Sequence, residues 1–527
     1  MRDPGAARTQ PGLVHQLGPV LALFCVAYLV YTTGLAVYNL FLSPLAKFPG
    51  SKLAAATSWY EFYYDYWLDG QYIFEIERMH KKYGPIIRVN PDELSIHDPA
   101  FYNEIYVTES KRRTNAYDVF CKGIDFDGSH LLTADHDLHR RRRKPLEPFF
   151  SRMGIARLQP MLAEVALHLE TRLRDLKGSG KVIRLDHAFS AFSGDIIGRI
   201  CLDGGSGGSR FLDDPDFAPD WYNVIHAIVR SIPLFTGFPW LVRVVSWIPE
   251  SVLLWAYPRG QMFNIFKERA KQHIRRAMTS ATAAHGAEKG HEEDASSLFH
   301  HIVNKSDMPE SERSEERLSK EAQVLLGGGT ASTARTIGFA SFYILSRPAI
   351  RARLEAELSP IMASWPTRVP SWAELERLAF LQAIIKESLR LSYGVMHRLP
   401  RISPDVPIQY KNYTILPGAP VGMSAYLMHS DPDVFASPGE FTPERWLRQD
   451  TIGNMNKSFV PFCRGSRNCL GMNLAMAEMS LILAVLFRPN GPEFDLFETD
   501  ESDIRQAHDF LIPLPKITTK GVRALIR

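Results

Sequence analysis

Along most of the chain, apolar residues recur three or four positions apart, the spacing that gathers side chains on one face of a helix. Leu375, Leu378, Leu381, Ile385 and Leu389 form one such stripe. Pro348, just after Ser346 and Arg347, suits the first turn of another helix running to Leu358. Proline there gives up only a donor that has no intrahelical partner. Strand-like pieces are few and short: Ile86–Val89, Glu93–Ile96, Ile408–Tyr410 and Thr414–Ile415. The pattern predicts a mainly α protein with small β-sheets. Gly204–Ser209 (GGSGGS) reads as a flexible loop, and polar Thr279–Ser297 as an exposed linker.

The N-terminus follows a different pattern. No charge interrupts Leu17–Leu42, which is longer than the ~20 helical residues that cross a bilayer core. It also exceeds a signal-peptide h-region, and no small-x-small site closes it, so an uncleaved anchor is favoured over a leader. Tyr28, Tyr31 and Tyr38 suit the membrane interface. Ser43–Ala54, with Pro44, Pro49 and Gly50, predicts a stiff hinge. The expected organisation is a tail (1–16), a single transmembrane helix (17–42), a proline-rich hinge (43–54) and a catalytic body (55–527). Arg2 and Arg8 before the span and Lys47 and Lys52 after it leave the orientation open.

Composition narrows the class. The chain has 527 residues and is 45% hydrophobic, as expected of a globular body. A net charge of +3 gives no reason to expect nucleic acid. Five scattered cysteines argue against a disulfide framework and for a reducing compartment.

One of those cysteines carries the chemistry. Cys469 lies in FVPFCRGSRNCLG (Phe459–Gly471), directly before the apolar stretch Gly471–Phe487. A thiolate is an electron-donating axial ligand that favours O–O cleavage at haem iron. Gly465 and Gly471 permit tight turns and close approach to a macrocycle, and Phe462 can pack on the loop. Arg467 offers a fixed cation for a propionate. The helix start after Cys469 favours thiolate through its dipole. Cys463 is near, but no His or Cys pair completes zinc-ligand spacing.

Phe462, Gly465, Arg467, Cys469 and Gly471 fill every fixed position of F-x-x-G-x-R-x-C-x-G, and so the chain resembles the cytochrome P-450 family. The resemblance implies that family's mainly α fold with a small β-rich lobe, and haem b with Cys469 as its axial ligand. It also implies that Glu387 and Arg390 in FLQAIIKESLR lock to Arg445 in FTPERWL. Glu387 and Arg390 are three apart and share a helical face; two bidentate guanidiniums would then satisfy one buried carboxylate.

In LLGGGTASTAR (Leu325–Arg335) the family's distal motif aligns as Gly328, Gly329, Thr330, Ala331, Ser332, Thr333. The glycines would leave room for dioxygen. Ser332 would be the proton-relay hydroxyl, and Ala331 stands where the family has an acid. A frame shifted by one makes Thr333 the hydroxyl. In HDLHRRRRKPLEPFFS, His139 and Arg143 take positions that bond a propionate, with His139 replacing tryptophan. Arg401 would reach a propionate, with Arg398 as the alternate. Phe120, Phe126, Gly328, Val395, Met396 and the loop Phe510–Leu514 are substrate-pocket candidates.

Asn39–Tyr64 together with LSYGVMHRLPR is similar to fungal secondary-metabolite members such as trichodiene oxygenase. That implies a monooxygenase hydroxylating or epoxidising an apolar terpenoid or polyketide with dioxygen and NADPH-derived electrons. Its partners would be NADPH–cytochrome P-450 reductase and, as an optional second donor, cytochrome b5. The remaining arginines of the basic run would face that reductase. The address would be the endoplasmic reticulum membrane, single-pass, with a cytosolic catalytic body. Two other classes stay open: a haem-thiolate isomerase or dehydratase, and a haem sensor or electron carrier.

Overall fold

The helical stripes assemble around one long helix, Glu315–Ser346. Ser314 caps it by accepting from the Arg317 N–H, and Glu315 and Glu316 complement its positive end. The helices Gln159–Asp175, Leu185–Leu202, Ala379–Ser392 and Met472–Phe487 share one apolar core with it. Phe189, Phe192, Ile337 and Ile482 are fully buried there, each contributing ~1.5–3 kcal/mol. The computed structural model describes residues 13–117, 126, 128–202, 210–249, 251–252, 255, 260–284, 298–305 and 307–527.

The strands are short, as expected, and each of the four predicted pieces matches one within a residue at either end, while the other strands were not anticipated. Ile86–Arg88, Leu94–Ile96, Pro420–Gly422, Arg401–Ile402 and Asn115–Ala116 form a five-stranded sheet in that order. Ile408–Tyr410 pairs with Tyr413–Ile415, and His508–Phe510 with Ile512–Leu514. Arg523–Ile526 lies between Ile183–Arg184 and Phe494–Leu496.

Three expectations need correction. The stripe from Leu375 to Leu389 is not one helix: Trp372–Leu375 stops and Ala379–Ser392 begins anew. The Glu357 carboxylate accepts from the N–H groups of Phe380 and Leu381, both at 2.8 Å, which starts the second helix. The helix from Pro348 runs on to Met362. Gly260–Ala284 is helical, so the expected linker cannot begin at Thr279. The remainder of that linker and Gly204–Ser209 lie outside the described residues.

The N-terminal helix Leu13–Val37 continues through one wider turn, Tyr38–Leu42. Pro19–Leu42 has a mean hydropathy of 2.1, and its most apolar stretch is left unburied. The hinge after it is fastened. Buried Arg88 donates to the Asn39 carbonyl at 2.6 Å, and the Asn39 amide donates to Ala56 O at 3.1 Å.

Candidate active site

Cys469 is presented by a loop whose ends are both held. Its N–H donates to the Phe462 carbonyl at 2.9 Å, closing the loop on itself, and half-buried Phe462 packs on the main core. Gly465 has φ +76°, and a Cβ there would meet the Tyr106 carbonyl carbon at 2.7 Å; glycine alone fits. The helix Met472–Phe487 follows with Gly471 as its N-cap.

The Cys469 thiol is exposed, yet burial pushes it above its ordinary value. The sulfur is thus reachable yet poorly hydrated. The Gly471 N–H and Arg143 pull the thiol the other way, but burial outweighs them. The helix start therefore does not by itself make the thiolate that its dipole favours; coordination to a metal does.

Behind the loop sits a second layer. Arg390 grips Glu387 with two bonds, at 2.9 and 2.8 Å, and Arg445 adds one at 3.0 Å. The expected second bidentate pair is thus a single bond. Trp446 Nε1 at 2.8 Å and the Thr442 N–H at 2.9 Å complete the carboxylate instead. Trp446 stands beside Arg445 in FTPERWL, and only its indole donor marks it as a partner for a buried acid.

His429 joins this layer to the loop. Its Nδ1–H donates to the Arg390 carbonyl at 3.1 Å, and its Nε2 accepts from the Val460 N–H at 2.9 Å. Burial, then Arg390, lowers its pKa to about 3, so the ring is neutral as those two bonds require. No local pattern in the sequence singles out His429.

The basic helix His136–Arg143 braces the same loop from another side. Arg143 donates to the Asn468 carbonyl at 2.6 Å, to Asn468 Oδ1 at 2.9 Å and to Glu147 at 3.0 Å. It buttresses the residue before Cys469, where a propionate contact was expected. Arg467 donates to the carbonyls of Thr133 at 2.6 Å, Ala134 at 2.7 Å and Asp135 at 3.1 Å. His139 departs from the expected neutral donor. Its Nδ1–H is spent on the His130 carbonyl at 2.7 Å, so Nε2 offers a lone pair. Arg140 meets Glu109 and Glu147, and Arg142 meets Glu312, while Arg141 is exposed.

Arg398, the alternate propionate residue, is consumed by Glu61 and by Glu93 at 2.9 Å. Arg401 lies over the Tyr106 ring at 5.3 Å and donates to the carbonyls of Leu399 and Pro400.

On the central helix Gly328 and Gly329 differ. A Cβ at Gly328 would meet nothing within 4 Å, and Gly328 is exposed although the helix is mostly buried. Gly329 leaves no such space: a Cβ there would lie 2.9 Å from Ile197 Cγ1, so it serves close helix packing. Ser332 is half-buried and its Oγ donates to the Gly328 carbonyl at 3.0 Å. Thr333 is buried in the core.

Beside this face lies a cavity of about 730 Å³, counted out to its solvent-open side. Ala331 lines it, with Ile225 and Val229 from the helix Pro219–Gly237 and Ile512 and Leu514 from the C-terminal hairpin. Two pocket candidates are corrected. Met396 is fully buried among Tyr72, Ile73 and Ile87, and Phe510 packs into a small core with Val229 and Ile232. Val395 is half-buried outside the cavity lining, Phe126 sits in a turn, and Phe120 lies outside the described residues.

The family profile described as Cytochrome P450 matches residues 55–520. The chain belongs to the cytochrome P450 family. It is 52% identical over 499 residues to "Cytochrome P450 monooxygenase oblB" of Aspergillus clavatus, covering 94% of this chain and 95% of the relative. It is 48% identical over 517 residues to "Fusicoccadiene C-8 hydroxylase" of Phomopsis amygdali, covering 97% and 96%. It is 43% identical over 532 residues to "Stellatic acid synthase" of Emericella variicolor, covering 96% and 94%. The chain is thus a P450 monooxygenase whose cofactor is haem, and P450 monooxygenases draw on redox partners and apolar substrates. Its mainly α fold with small sheets is the one the resemblance implied, and the apolar N-terminal helix fits a membrane-anchored P450.

The residues present fit haem. The sulfur of Cys469 is open, and a Cβ at Gly471 would meet nothing within 4 Å. His139 Nε2 is buried with no partner among the described residues. The Arg401 guanidinium has no carboxylate partner there either. A soft ligand with cations to one side matches an iron macrocycle bearing two acids.

Proposed function

We propose that this P450 hydroxylates or epoxidises an apolar terpenoid intermediate at the helix face between Gly328 and Ser332. The accessible, desolvated sulfur of Cys469, on a loop braced from three sides, carries this reading. The substrate class is supported by relatives named for fusicoccadiene hydroxylation and stellatic acid synthesis.

Haem held by a thiolate supplies activation of dioxygen with two electrons. The chain's own residues do the rest. Cys469 gives the thiolate, and Phe462, Gly465 and Gly471 set its position. Arg143 fixes Asn468 and thereby the loop. Arg401 and Arg467 meet the propionates; His139 stays neutral beside them, because burial and then Arg467 lower its pKa to about 3. Glu387, Arg390 and Arg445 hold the layer behind. Ser332 Oγ passes a proton between the distal face and water entering at Gly328, because Ala331 has none to give. Thr333 points to the core and takes no part.

Electrons come from NADPH–cytochrome P450 reductase, with cytochrome b5 as a second donor, and Arg141 meets the acidic partner. The anchor at 17–42 and the hinge at 43–54 hold the catalytic body, 55–527, on the cytosolic face of the endoplasmic reticulum. The test is turnover of the haem-loaded chain with reductase, NADPH, isotopically labelled dioxygen and fusicoccane-type hydrocarbons. One labelled oxygen in the product is expected. A rearranged or dehydrated product without label would overturn the reading.

A further inference from the structure

The cavity beside the central helix holds a charge that oxygenation of a hydrocarbon does not use. Arg335 lines this cavity one turn beyond Ser332 on the same helical face, ~4.5 Å farther along the axis. Its Nη2 donates to the Ile504 carbonyl at 3.2 Å. Its Nε is buried with no partner among the described residues.

The acids that share the cavity wall are already matched. Asp186 is held by Arg184. Asp503 accepts from Thr519 at 2.7 Å and meets Lys516 at 3.2 Å. His226 adds no positive charge: its Nδ1–H donates to the Tyr222 carbonyl at 2.8 Å, and burial lowers its pKa to about 4. Burial also lowers Arg335, to about 10, which leaves it a cation at neutral pH. An uncompensated guanidinium in a mostly apolar cavity is costly unless an anion meets it. Ile225, Val229, Ile512 and Leu514 supply the apolar remainder.

We propose that Arg335 binds a carboxylate on the substrate, an otherwise apolar molecule whose acid group is anchored one helical turn from Ser332. The planar guanidinium matches a carboxylate in shape and charge. Anchoring one end of the molecule there selects which part of it lies one helical turn away, beside Ser332. The proposal rests on the monooxygenase reading only in calling the bound molecule a substrate.

The test is calorimetric titration of the detergent-solubilised, haem-loaded full chain with three probes: farnesoic acid, its methyl ester and farnesol. The acid is expected to bind ~10–100-fold more tightly than the ester, the range of a buried charge-assisted bond. Arg335→Gln is expected to bring that ratio to about one, and Arg335→Lys to keep an acid preference. Equal binding of acid and ester by the wild type overturns the proposal, as does tighter binding of farnesol. An acid preference that survives Arg335→Gln does so too. The wild-type ratio needs no variant, so a poorly folding Arg335→Gln does not shelter the idea. Binding heats are independent of turnover. Selective acid binding without labelled product would sink the monooxygenase reading alone, and labelled product without acid preference would sink this one alone.

Discussion

At the scale of single residues, the proximal and distal sides of the site rest on different kinds of evidence. Cys469, Gly465 and Glu387 stand in short motifs and were therefore legible in the sequence. The distal side has Ala331 where the family motif has an acid, and geometry is needed to choose between Ser332 and Thr333. Ser332 turns toward the open side at Gly328, whereas Thr333 is buried. Ser332→Ala is therefore expected to lower product formed per NADPH by about tenfold or more, with haem content unchanged. Thr333→Ala is expected to leave that coupling intact. Both are read by comparing NADPH consumption with product. Behind the sulfur, Glu387→Gln leaves two buried guanidiniums uncompensated and should cost ~3–5 kcal/mol. Trp446→Phe removes one donor and should cost ~1–3 kcal/mol. Denaturant unfolding of the holoprotein separates the two. Trp446 escaped the sequence reading because an aromatic in an apolar stretch gives no sign that its N–H meets a buried acid.

At the scale of elements, His429 links the helix Ala379–Ser392 to the cysteine loop. Its folded pKa of about 3 lies below its ordinary 6.5. The unfolded chain thus takes up the proton first, and the stability His429 lends is lost as pH falls from 6.5 toward 3. The stability gap between wild type and His429→Asn is expected to narrow by ~1.4 kcal/mol per pH unit between 6.5 and 5. Urea titrations at three pH values measure it, and a gap that ignores pH contradicts this role. The sequence could not show such a link. Arg390, His429 and Val460 are distant in the chain, and only the packing of the helix against the loop brings them together. The same limit explains Arg143, whose place in the motif was legible but whose hydrogen bonds to Asn468 were not. It also explains the split of the Leu375–Leu389 stripe, which depends on a capping carboxylate from Glu357.

At the scale of the whole molecule, the mainly α class and the small sheets followed from spacing alone, because long amphipathic stripes leave little room for strands. The anchor followed from a charge-free span. Removal of residues 1–54 is expected to make the protein extractable from membranes by alkaline carbonate, while the full chain stays in the pellet. A full chain that is extracted as readily as the truncated one would contradict the anchor. What the sequence left open was the shape and charge of the substrate cavity. Its walls come from the helix Pro219–Gly237, the central helix and the C-terminal hairpin, three stretches far apart in sequence.

The most direct test of the account is the absorption spectrum of the reduced, carbon monoxide-bound holoprotein, recorded for the wild type and for Cys469→Ser. The account predicts a thiolate-type Soret band in the wild type and its loss in the variant. A wild type without that band, or a variant that keeps it, would contradict the assignment of Cys469 as the haem ligand.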